Sequence, residues 1–81
     1  MFKIYSKPNC PQCVQAKNLL KSKNLYFLET TLYMGQEKIE GTEYYDLDEL
    51  KKLVPNVQSV PQIFKDGVHI GGYRELLKHL A

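Results

Sequence analysis

The pattern of apolar and polar positions divides the chain into seven elements. Residues 2–6, FKIYS, alternate so that Phe2, Ile4 and Ser6 share one face, which predicts a strand. The turn-prone KPNCP follows. From Pro11 onward, VQAKNLLKSK predicts a helix with a buried stripe of Val14, Ala16, Leu19 and Leu20. Pro11 suits its first turn, where a missing N–H loses no partner. Residues 25–32, LYFLETTL, carry the aromatic and β-branched types of a second strand. Tyr33 to Tyr45 shows neither period and carries Gly35 and Gly41, so it is expected to be a loop, long for so small a domain, with at most a short helical turn. Asp46 and Glu49 have capping-box spacing ahead of a second helix, whose face holds Leu47, Leu50 and Val54. Beyond Pro61, QIF and VHI are short apolar runs separated by Lys65-Asp66-Gly67, a strong hairpin signal. Gly71 and Gly72 break the second run, and Tyr73, Leu76, Leu77 and Leu80 fall at helical spacing.

The predicted order is βαβαββα. A strand–helix–strand unit favours parallel pairing through a right-handed crossover, and the hairpin adds antiparallel pairing. The expected result is an α/β domain with a four-stranded mixed sheet and helices on both faces, a thioredoxin-like architecture.

Length and composition narrow the function. Eighty-one residues make one domain, residues 1–81. Hydrophobic residues at 43% and charged ones at 25% exclude a disordered chain. A net charge of +2 is too even for a nucleic-acid binder that works by charge alone. MFKIYSKP lacks the apolar core of a secretory leader, and no stretch approaches the roughly 18 apolar residues of a membrane span. The expectation is a cytoplasmic, monomeric protein, free of membrane. In that compartment a disulfide does not persist as a staple, so a C-x-x-C points to metal binding or redox chemistry.

Cys10 and Cys13 are the chain's two cysteines. A structural zinc site wants four ligands, and the remaining candidates, His69 and His79, sit in a predicted strand and near the chain's end, not at finger spacing. No metal within one chain is expected; a cluster shared between two chains is less excluded. Two core cysteines that happen to lie three apart are the bland alternative, against which stand the flanking Pro, Asn and Gln ahead of a helix. Cys10 lies at the helix mouth, where unpaired N–H groups and the helix dipole stabilise a thiolate. Such positions lower cysteine pKa values to roughly 3.5–7.5. Lys7 adds a second positive influence. Cys10 is therefore the candidate nucleophile and Cys13, one turn in, the candidate resolving thiol. Pro61 in SVPQIF stands where a strand begins, the place a sheet tolerates proline.

FKIYSKPNCPQC followed by SVPQIFKDGVHIGGY resembles the glutaredoxins over almost the whole chain. Their C-P-Y-C, T-V-P and Gly-Gly motifs are answered by Cys10-Pro11-Gln12-Cys13, Ser59-Val60-Pro61 and Gly71-Gly72-Tyr73-Arg74-Glu75. The resemblance implies a glutathione-dependent oxidoreductase of protein disulfides and glutathione mixed disulfides, with a potential of about −200 to −230 mV. Glutathione is implied as cosubstrate, with no bound cofactor. The implied glutathione site takes in Lys7, Gln12, Ser59, Val60, Pro61, Gly72, Tyr73, Arg74 and Glu75. Within it, Pro61 is cis, the Val60 backbone pairs with the glutathione cysteine, Lys7 meets the glycine carboxylate, and Glu75 or its neighbours hold the γ-glutamyl end. Gln12 replaces the usual Tyr, Ser59 the usual Thr, and Arg74 stands where many members carry a small polar or acidic residue. Gln12 in C-x-Q-C and Arg74 after the Gly-aromatic pair also resemble the glutaredoxin-like electron donors of ribonucleotide reductase that draw on thioredoxin reductase. Ribonucleotide reductase is thus an implied partner, and an iron–sulfur carrier is the alternative of another class.

Overall fold

The computed structural model describes residues 1–81. Its elements run β1 (Phe2–Ser6), α1 (Pro11–Ser22), β2 (Phe27–Leu32), β3 (Glu43–Tyr45), α2 (Leu47–Leu53), β4 (Gln62–Lys65), β5 (Val68–Gly71) and α3 (Tyr73–Leu80). The sheet has five strands in the order β3-β2-β1-β4-β5. β1, β2 and β3 pair in parallel, while β4 runs antiparallel to both β1 and β5. This is the thioredoxin-like α/β fold, with one strand more than the four expected. The added strand lies at the end of the segment read as a loop. Three residues are too few to show a period; Glu43, Tyr44 and Tyr45 become a strand by pairing with Thr30, Thr31 and Leu32.

Alternation along the central strands creates two cores. Phe2, Ile4 and Ile63 pack with Ala16 and Leu20 of α1 and Leu76 of α3 on one face. Tyr5 and Phe64, their neighbours in sequence, turn to the other face and pack with Tyr45 and Leu50 of α2. Helices therefore cover both faces. Three stripe assignments change. Val14 is half exposed, and its place in the α1 stripe is taken by Cys13. Leu47 and Leu77 also face outward, leaving Leu50 and Leu76 as the fully buried anchors of α2 and α3. The hairpin forms as read, with Asp66 and Gly67 both at positive φ (50° and 82°), the backbone of a two-residue turn that matches strand twist.

Tyr45 shows how the second core is held. Its ring meets Tyr5 edge-on at 5.1 Å, and its buried hydroxyl donates to the Ser6 carbonyl at 2.9 Å. Burial, with the nearby Tyr5, pushes the Tyr45 hydroxyl up to about 12. An unfolded tyrosine ionises near pH 10, so between pH 10 and 12 the unfolded chain releases a proton that the folded chain keeps. Stability present below pH 10 is therefore lost as pH rises through that window, by about 2–3 kcal/mol at most. Denaturant unfolding at pH 8 and pH 11 checks this. Tyr45→Phe should be less stable at pH 8, lacking the bond to Ser6, but should show a smaller further loss at pH 11 than the parent.

Candidate active site

The site is built where α1 begins. Asn9 takes a positive φ of 56°, a conformation that asparagine tolerates better than most side chains, and turns the chain into the helix. Cys10 is the N-cap, in extended backbone, and Pro11 is the first helical residue. In place of a capping hydroxyl, the Cys10 sulfur accepts the Cys13 backbone N–H at 3.2 Å. A sulfur at an N-cap thus takes one of the helix's unpaired donors, and the same bond would stabilise a thiolate there. Cys10 and Cys13 form a disulfide, their Cα atoms 5.2 Å apart. Cys10 is 8% exposed and Cys13 2% exposed. The difference places Cys10 at the surface of the pair and Cys13 behind it.

The Ser59-Val60-Pro61 turn meets the dithiol from the β4 side. The Val60–Pro61 peptide is cis, and the Val60 carbonyl oxygen lies 3.7 Å from the Cys10 sulfur. Pro61 is buried, Val60 half-buried, and Ser59 exposed, its carbonyl accepting from Gln62 Nε2 at 2.8 Å. The Gly-Gly corner comes close on the same side: a methyl group added at Gly72 would stand 3.4 Å from the Pro61 oxygen. Gly71 has φ +130°, where a side chain is strained, and an added methyl would lie 2.6 Å from Glu75 Cγ. A side chain at Gly71 would displace Glu75, and the corner would lose its bond to α3.

That bond changes what Glu75 has to offer. Glu75 Oε1 accepts the Gly72 N–H at 2.8 Å, capping the first turn of α3 from within. One carboxylate oxygen is thereby engaged at home, and the other remains for a ligand. Tyr73 is half-buried against the first core, and Arg74 is exposed with no carboxylate partner. Gln12 is exposed on α1 beside the cysteines. Lys7, also exposed, lines a groove with Ser59 and Val60 whose floor includes Leu32, Tyr45 and Leu47. The fold thus gathers Cys10, Cys13, Val60, Pro61 and Gly72 directly. Lys7, Gln12, Ser59, Tyr73, Arg74 and Glu75 stand around them on exposed or half-buried positions.

A polar cluster behind the helix escaped the sequence reading. Glu29 Oε2 of β2 accepts from Ser6 Oγ at 2.7 Å and from Lys17 Nζ of α1 at 2.8 Å. Burial pushes the Glu29 carboxyl upward, but the bonds from Lys17 and Ser6, with the charges of Lys17 and Lys21, hold it below the usual carboxylate range. Lys17 stands four residues after Cys13, on the same helix face. That spacing was the available signal; the partner strand was not.

The family model described as Glutaredoxin matches residues 2–70. Glutaredoxin 3 of Escherichia coli K12 is 38% identical over 73 residues, covering 90% of this chain and 77% of that protein. The hybrid peroxiredoxin hyPrx5 of Haemophilus influenzae is 36% identical over 78 residues, covering 96% of this chain. The chain spans 28% of that relative's length, and 61% of the length of Glutaredoxin 1 of Rickettsia felis. Among solved structures, Glutaredoxin 1 of Francisella tularensis, crystallised with cacodylate, superposes with a TM-score of 0.72 at 31% identity, covering 98% of this chain and 90% of that one.

Proposed function

This chain belongs to the glutaredoxin family, and from that premise we propose that it is a glutathione-coupled thiol–disulfide oxidoreductase that reduces protein disulfides and glutathione mixed disulfides. The observation that carries the proposal is the Cys10–Cys13 disulfide at the mouth of α1, with the Cys10 sulfur as helix cap. In the reduced protein Cys10 is the thiolate. It attacks one sulfur of a substrate disulfide; a Cys10–substrate disulfide forms, the substrate S–S bond breaks, and the departing sulfur takes a proton from water. Cys13, deprotonated, then attacks the Cys10 sulfur, restoring the internal disulfide and releasing the second substrate thiol. Two electrons have passed from the dithiol to the substrate.

Glutathione closes the cycle. One glutathione thiolate attacks Cys10 and frees Cys13; a second attacks the glutathione sulfur on Cys10, giving oxidised glutathione and the Cys10 thiolate. Lys7 and Arg74 supply cations for the tripeptide's two carboxylates, and the free oxygen of Glu75 faces its ammonium. The Val60 backbone beside Cys10 is available to pair with the glutathione peptide. Ribonucleotide reductase is the protein substrate this reading favours.

The test is a coupled assay of the oxidised protein, following NADPH consumption. Glutathione with its reductase should support turnover, and thioredoxin reductase alone should not. The reverse result would transfer the protein to the thioredoxin-reductase-fed donors, a reading favoured by the engagement of Glu75 within α3.

A further inference from the structure

A second groove opens on the dithiol from the side away from Val60 and Pro61. It encloses about 710 Å³ and is bounded by the Lys7–Cys10 turn, by Cys13, Val14 and Lys17 of α1, and by Glu29, Thr31 and Thr42. Strand order separates the two approaches. Pro61 leads into β4 on one flank of β1, whereas Glu29 and Thr31 belong to β2 on the other. Ile4 pairs with Glu29 and Ser6 with Thr31, so alternation puts Glu29 and Thr31 on the sheet face that α1 covers. Thr42, just ahead of β3, forms the outer wall. Without the edge strand, the groove would have no far side.

The groove's charge is one-sided. Lys7 on its rim has no carboxylate partner. Inside the groove Lys17 pairs with Glu29 at 2.8 Å, so Lys7 is the cation its lining leaves unpaired. The N-terminus of the twelve-residue α1 adds its partial positive charge at the cysteines. We propose that this groove seats the polypeptide on either side of a protein substrate's disulfide and selects segments carrying acidic side chains. Glutathione is left to approach from the Val60–Pro61 side. The exchange at sulfur is the one given above, and the proposal rests on that reading. The segment between β2 and β3 then has a function: it builds the wall that tells a protein substrate from a tripeptide.

The experiment compares wild type, Thr42→Glu and Thr42→Gln. Thr42 is exposed, and its backbone bond to Ile39 does not depend on the side chain. The substrates are two synthetic peptide disulfides, one with Glu and one with Lys flanking the cysteines, and the mixed disulfide of glutathione with 2-mercaptoethanol. Wild type should prefer the Glu peptide in kcat/KM, and the preference should shrink as salt is raised. One new carboxylate at an exposed wall opposes a like charge by about fivefold, so Thr42→Glu should lose about that much on the Glu peptide. Thr42→Gln should not, and turnover of the small mixed disulfide should be unchanged in both variants. No preference in wild type, an equal loss on all three substrates, or an equal loss in Gln and Glu variants would each overturn the proposal. A wild type inactive on the glutathione mixed disulfide would instead overturn the functional reading beneath it.

Discussion

Cys10→Ser should lose essentially all thiol-transfer activity, a fall of roughly 10³-fold or more, because removing a nucleophile leaves only binding and positioning. Cys13→Ser should behave differently. The bond from residue 13 to the Cys10 sulfur comes from a backbone N–H, so it survives the substitution. The helix mouth also survives, and with it the stabilisation of the Cys10 thiolate. Cys13→Ser should therefore keep its rate with glutathione mixed disulfides, which need a single thiol, to within about tenfold, judged by thiolate reactivity. It should lose multiple turnover of protein disulfides, because nothing resolves the first mixed disulfide internally, and a trapped covalent adduct should be visible by mass spectrometry. The assignment rests on an asymmetry of place: Cys10 caps the helix at the surface, and Cys13 lies behind it at 2% exposure. Activity retained in Cys10→Ser and lost in Cys13→Ser would exchange the two roles.

Leu76→Ala should be the most damaging change away from the cysteines. Leu76 is fully buried and is the residue by which α3 enters the first core, against Ile63 of β4 and the α1 residues Ala16 and Leu20. Truncating such a leucine costs about 2–5 kcal/mol, part in lost transfer and part in the cavity left behind. For a domain of this size that corresponds to a fall in Tm of roughly 10–20 °C or more. The same helix carries Tyr73, Arg74 and Glu75 in its first turn, with Glu75 pinned to Gly72 beside the Pro61 backbone. A loosened α3 should consequently raise KM for glutathione at temperatures where the variant is still folded. Thermal and denaturant unfolding measure the first effect and steady-state kinetics the second. A stability loss under about 1 kcal/mol would show that the first core does not depend on this contact.

Much of the site was written locally. Cys10, Pro11 and Cys13 owe their places to one turn of chain and the start of one helix, and rules for helix starts reach that far. Asp46 and Glu49 likewise cap α2 as their spacing foretold, the Asp46 carboxylate accepting the Glu49 N–H at 2.9 Å. Asp66-Gly67 made its turn because the required φ values belong to those two residues. The resemblance implied a cis Pro61, and the Val60–Pro61 peptide is cis, with the Val60 oxygen 3.7 Å from the Cys10 sulfur.

What the chain alone left open depends on partners distant in sequence. β3 is a strand only because β2 offers it an edge, and three residues have no periodicity of their own. Val14 and Leu47 were assigned to buried stripes by their spacing, yet both face solvent, because helix periodicity does not say how wide a face the neighbouring sheet will cover. Glu75 was read by analogy as a ligand group; the fold gives one of its oxygens to Gly72. Ser6, Lys17 and Glu29 come from β1, α1 and β2 and meet only when parallel pairing sets Ser6 two residues beyond Ile4, the partner of Glu29. Local propensity and motif spacing determined where the sulfur chemistry sits. Long-range pairing decided what surrounds it, since a charge or a wall acts through distance in space and the sequence records only distance along the chain.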